Sequence, residues 1–137
     1  MDKKFGLGCL AIATCFGLAQ KATADEVWRT EEFGVVYAED RGSTAIWEYG
    51  GGFGTVFLDG LAGQYEDRGT YYGYWVQASS SKKCDTFREG ADGELTYYWG
   101  NVKVEFIDAD FPSRWKLGLG LCDGERTIEL NGTPVIP

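Results

Sequence analysis

The chain has 137 residues, a formal net charge of −8 at pH 7 and no histidine. The missing histidine excludes Ser-His-Asp and Cys-His nucleophilic arrangements and histidine-based zinc sites, and the acidic balance argues against a nucleic-acid partner held through a basic face. The length suits one domain that buries its own core without metal or oligomer support.

The amino end reads as a secretory leader. Lys3 and Lys4 precede an apolar run from Phe5 to Ala19, and the small residues Ala22 and Ala24 fit a signal peptidase. The run is too short to span a membrane comfortably, so cleavage is expected after Ala24. Residues 25–137 would then form a single periplasmic or secreted domain with no membrane attachment. A retained anchor and lipidation at Cys15 are the alternatives. No positive cluster follows the run, and Thr14 is a poor residue before a lipidated cysteine. Losing residues 1–24 removes Lys3, Lys4, Lys21 and Asp2 and takes the formal charge to −10. Cys84 and Cys122 remain, and an oxidising compartment makes a structural disulfide the expectation. Closing a loop of this size is worth about 4 kcal/mol in the chain-entropy model.

Strand signals follow in order. Val27–Ala38 alternates, with Phe33, Val35 and Tyr37 on one face and Gly34 marking a bend or bulge. Thr44–Tyr49 sets Ala45, Trp47 and Tyr49 against Thr44, Ile46 and Glu48. Thr55–Leu58, Ala62–Tyr65 and Thr70–Ala78 come next, separated by Asp59-Gly60 and Asp67-Arg68-Gly69 turns. The polar tract from Ser79 to Gly93 is the expected longest loop, pinned by the disulfide. Leu95–Trp99 and Val102–Ile107 are split by Gly100-Asn101, either a hairpin turn or a bulge within one long strand. Trp115–Leu121 and Thr127–Leu130 complete the series, and Asn131-Gly132-Thr133 reads as an Asn-Gly turn or a glycosylation sequon.

Beyond the leader no segment sustains a helical apolar period, so the chain is expected to be all-β. The simplest architecture is an antiparallel up-and-down β-barrel of about eight to ten strands, with a two-sheet sandwich as the alternative. The motifs Gly63-Gln64-Tyr65 and Gly73-Tyr74-Trp75, with Trp28 at the head of the first strand, resemble the meander of calycin-type barrels, avidins and lipocalins among them. That resemblance implies the fold and a habit of binding.

The glycines of Gly54–Trp75 lie between strands, whereas phosphate-cradling loops lead into a helix, so no cofactor is expected. Asp108 with Asp110, or Glu66 with Asp67, offer carboxylate pairs for glycoside hydrolysis. Asp108-Ala109-Asp110 and Asp123-Gly124-Glu125 offer oxygen ligands for calcium, although neither matches an EF-hand loop. Turn formation explains these residues more simply, and the chain reads as non-catalytic. The aromatic set is the positive feature. Trp47, Tyr71, Tyr72, Tyr74 and Trp75 are the candidate ligand-binding residues, because the run from Tyr71 puts aromatics on both faces of one strand. Two functions follow: a barrel that binds a small, partly apolar molecule, or an acidic module that binds a basic protein, such as an inhibitor of lysozyme-like cell-wall hydrolases.

Overall fold

A computed structural model describes residues 26–136; the expected leader and its cleavage site lie outside the described residues. The strands are β1 (Val27–Arg29), β2 (Gly34–Arg41), β3 (Thr44–Tyr49), β4 (Gly54–Asp59), β5 (Thr70–Gln77), β6 (Arg88–Glu89), β7 (Leu95–Thr96), β8 (Tyr98–Phe106), β9 (Trp115–Leu119) and β10 (Ile128–Pro134). Eight of them close an antiparallel barrel in the order β1-β10-β9-β8-β5-β4-β3-β2, while β6 and β7 pair apart. Each barrel strand therefore neighbours the next barrel strand along the chain. Closure leaves no edge for these aromatic strands to expose.

The period of two decides what fills the barrel. On β3, Ala45, Trp47 and Tyr49 point inward; Val56 and Leu58 of β4, Trp75 of β5, Val102 and Val104 of β8, and Trp115 and Leu117 of β9 join them in one core. The opposite face of the same strands is apolar too. Ile46, Phe57, Val76 and Trp99 form a second core on the outside of the wall with Cys84. The segment between β5 and β8, which carries β6 and β7, packs over this outer core. Arg88 of β6 lies over the rings of Tyr74 and Trp99 at 4.6 and 4.5 Å, and Trp99 Nε1 donates to Thr86 O at 2.8 Å. Cys84 and Cys122 are disulfide-bonded, as expected, which is compatible with an oxidising compartment.

Several elements depart from their sequence signals. Val27–Ala38 is two strands, because Thr30 Oγ1 accepts from the Phe33 backbone at 3.0 Å and builds a tight reversal before Gly34. The bulge on β2 falls between Tyr37 and Glu39 rather than at Gly34. Ala62–Tyr65 is not a strand; it begins with a turn in which Gln64 N donates to Leu61 O. Gly100-Asn101 neither turns nor bulges, since β8 runs in unbroken register with β5 from Thr70↔Glu105 to Gln77↔Tyr98. Asn131-Gly132 lies inside β10, with Gly132 opposite Trp115. A Cβ at Gly132 would sit within the Trp115 indole, so the glycine makes room for a ring rather than for a turn.

Candidate ligand-binding site

The two ends of the barrel differ in kind. At one end Arg68, delivered by the β4–β5 connection, is buried with Glu26 and Ser113. Its Nη1 and Nη2 donate to the two oxygens of Glu26 at 2.9 and 2.8 Å, Nη1 also reaches Ser113 Oγ at 3.1 Å, and Nε donates to Gln64 O at 2.7 Å. The guanidinium plane lies over Tyr65 at 5.2 Å and Phe106 at 4.9 Å. Trp28 Nε1 donates to Ser113 O at 2.7 Å from beneath. This forked donor set is used by partners that also fill the space, so the end is sealed.

Above that plug lies an aromatic floor. Trp28 meets Trp47 at 4.5 Å and Trp115 at 5.7 Å, and Trp47 meets Trp115 at 5.3 Å. All three are fully buried. Trp28 hydrogen-bonds to the backbone, whereas Trp47 Nε1 and Trp115 Nε1 are buried with no partner among the described residues.

Beyond the floor, at the other end, the barrel opens into a cavity of about 420 Å³. Trp47 and Trp115 border it; Val35, Val56, Leu117 and Leu130 supply aliphatic walls. Phe33 stacks on Tyr49 at 4.9 Å along one side. Trp75 stands on another, with its Nε1 donating to Gly120 O at 2.8 Å. That contact passes over Gly100, where a Cβ would strike both the indole and the carbonyl. The rim carries Glu32, Gln77, Ser80 and Ser81, and among the described residues no lysine or arginine lines the cavity. Gln77 Nε2 donates to the Tyr49 hydroxyl at 2.7 Å. Burial, partly offset by that hydrogen bond, pushes the Tyr49 phenol up to about 12, so it is neutral at physiological pH.

The disulfide belongs to this end. Cys84 follows rim residues Ser80 and Ser81 and Cys122 follows Leu121, which also lines the cavity, so the bond straps together the two long connections of the mouth.

The candidate residues are parted by the pleat. Trp47 and Trp75 line the cavity. Tyr71 points inward near the sealed end, edge-on to Phe106 at 5.8 Å, with its hydroxyl accepting from Gly69 N. Tyr72 is exposed on the outer wall beneath Arg126, 5.5 Å away. Tyr74 is stacked on Phe57 at 4.9 Å and packs with the outer core. The side chains of Tyr71, Tyr72, Tyr74 and Trp75 therefore do not share one face. Sequence reasoning did not single out Phe33, Tyr49, Gln77 or the aliphatic walls as site residues, although the alternation placed Phe33, Val35 and Tyr49 on faces with their inward neighbours.

Two of the candidate carboxylates, Asp108 and Asp110, are engaged in loop contacts. Asp108 Oδ2 and Oδ1 accept from Arg114 Nε and Nη2 at 2.8 and 3.0 Å, and these bonds hold its carboxyl down at about 2. Asp110 Oδ1 accepts from the Asp67 backbone at 3.2 Å. Among the described residues no three His, Cys, Asp or Glu side chains converge as a metal site. Comparisons of the chain with protein-family models, with curated proteins and with solved structures find no match.

Proposed function

We propose that the protein is a non-catalytic, calycin-like binding barrel of the periplasm or extracellular space, which takes a small, partly apolar molecule in its open end. The observation that carries this reading is the pairing of an apolar, aromatic-walled cavity of about 420 Å³ with a barrel end sealed by the Arg68–Glu26–Ser113 cluster. A ligand site of this kind buries most of its guest against apolar walls and orients it with a few polar groups, here Gln77, Ser80, Ser81 and Tyr49. The test is a titration with the uncharged fluorophore N-phenyl-1-naphthylamine. Saturable one-site binding with quenching of tryptophan emission is expected, and Leu119→Trp, which fills the mouth, should abolish it. Failure to saturate, or undiminished binding by Leu119→Trp, would sink the reading.

A second reading, an acidic module for a basic protein, is favoured by a separate feature. An outer groove of about 490 Å³ between the β3–β4 turn and β6–β7 is lined by Glu48, Asp92 and Glu94 with Phe53 and Leu95. Phe53 and Leu95 are 63% and 60% exposed. Such a surface would steer a cationic partner, with an association rate that falls steeply as salt rises. An association rate with lysozyme that does not change with salt, or no association, counts against it.

A further inference from the structure

The charge pattern at the mouth selects among small guests, and this step rests on the small-ligand reading above. Among the described residues that line the cavity, Glu32 alone is charged, and it lies at the rim. Its place is set by the reversal between β1 and β2, where Thr30 Oγ1 accepts from the backbone N–H groups of Glu32 at 3.1 Å and Phe33 at 3.0 Å. The preceding glutamate is employed differently. Glu31 Oε1 and Oε2 accept from Asn131 N and Nδ2 at 3.1 and 3.0 Å, which ties the reversal to β10. The Glu32 carboxylate has no ion pair among the described residues. Cations of the adjoining segments are engaged elsewhere: Lys83 lies over the Tyr97 ring at 5.1 Å, Arg126 over Tyr72 at 5.5 Å, and Lys116 is 3.9 Å from Glu129. One glutamate fixes the turn, and its neighbour borders the mouth with its charge unmatched.

We propose that the guest is a cationic amphiphile, an apolar chain or ring bearing an ammonium-type head, which lays its body between the cavity walls and leaves its head at the rim beside Glu32. Depth decides that division. Val35, Val56, Leu117 and Leu130 are buried and offer nothing to a charge, so an ion carried down among them would lose its water without gaining a partner. At the rim the head stays hydrated, with the Glu32 carboxylate as counter-charge and the half-buried Phe33 ring beside it. An anionic head at the same level meets a like charge and no cation among the lining residues, which disfavours fatty-acid-like guests. Because Glu32 is exposed, the preference is modest and weakens as salt rises.

Three probes that share a nine-carbon chain test the idea on the intact protein by displacement of N-phenyl-1-naphthylamine: nonylammonium, 1-nonanol and nonanoate. At low salt the ammonium is expected to bind about threefold more tightly than the alcohol, with the carboxylate weakest. Glu32→Gln should bring the ammonium level with the alcohol while the affinity for the alcohol holds. Glu105→Gln removes the same charge from a distant, exposed position on β8 and should keep the ranking, which separates a local contact from the net charge of the protein. Equal binding of ammonium and alcohol, preference for the carboxylate, or a preference for the ammonium that survives Glu32→Gln overturns the inference while leaving a small-ligand barrel standing. Displacement by none of the three overturns both together.

Discussion

At the sealed end of the barrel, Arg68, Glu26, Ser113 and Trp28 satisfy one another across three separate stretches of chain, and nothing polar is left over in that cluster. At the open end the reverse holds: apolar walls surround space, and the indole N–H groups of Trp47 and Trp115 have no partner among the described residues. Both ends belong to the same eight strands. The contrast teaches that barrel closure alone does not decide whether an interior is plug or pocket. The connections at each end decide it, by the side chains they tuck inward.

The comparison can be broken most severely at the plug. Arg68→Met strands the Glu26 carboxylate in a buried site and should cost about 3–5 kcal/mol in urea denaturation. A loss under about 1 kcal/mol would mean that water reaches the cluster and that the two ends differ less than their packing suggests. At the mouth, replacing Cys84 and Cys122 together by alanine should lower stability by up to about 4 kcal/mol. The same change should weaken N-phenyl-1-naphthylamine binding, because Ser80, Ser81 and Leu121 lose their strap. Undiminished affinity would show that the walls alone shape the mouth.

The smallest effect lies on the surface beside the plug. Asp108 is held at about 2 against an ordinary 3.8, so its contribution is complete above roughly pH 4 and disappears as pH falls through about 2. Thermal unfolding followed from pH 5 to pH 2 should show a shallow acid loss that Asp108→Asn lacks. Parallel curves for the two proteins would remove the Arg114 pairing from the stability of that loop.

How much of this was legible depended on whether the cause was local. Thr44–Tyr49 emerges with its bounds and its division into two faces as read, because alternation is a property of consecutive residues. Ala62–Tyr65 misleads because Leu61 and Tyr65 are apolar for the sake of the plug, not of a strand. Asn131-Gly132 misleads because a ring from the neighbouring strand claims the glycine. The aromatics on both faces of Tyr71–Trp75 were real, but the outer face is partly occupied by the β6–β7 segment, folded over Tyr74 by contacts with Arg88 and Trp99. The cavity was the least legible feature. It consists of modest side chains such as Val35, Val56 and Leu130 arriving at one level from different strands, and that level is set by register, which one sequence does not display.

The closing strand carries a last consequence. β1 has three residues and meets β10 through Trp28↔Pro134 and Arg29↔Thr133, a far shorter ladder than the pairing of β5 with β8. Proline adds no donor there. Local opening of the sheet should therefore begin at this junction, and hydrogen exchange should find its amides first. Trp28 sits on that strand and supports Trp47 and Trp115 from below, so the fluctuation that parts the junction also unsettles the floor. By linkage, a guest resting on that floor would slow exchange where the first and last barrel strands meet.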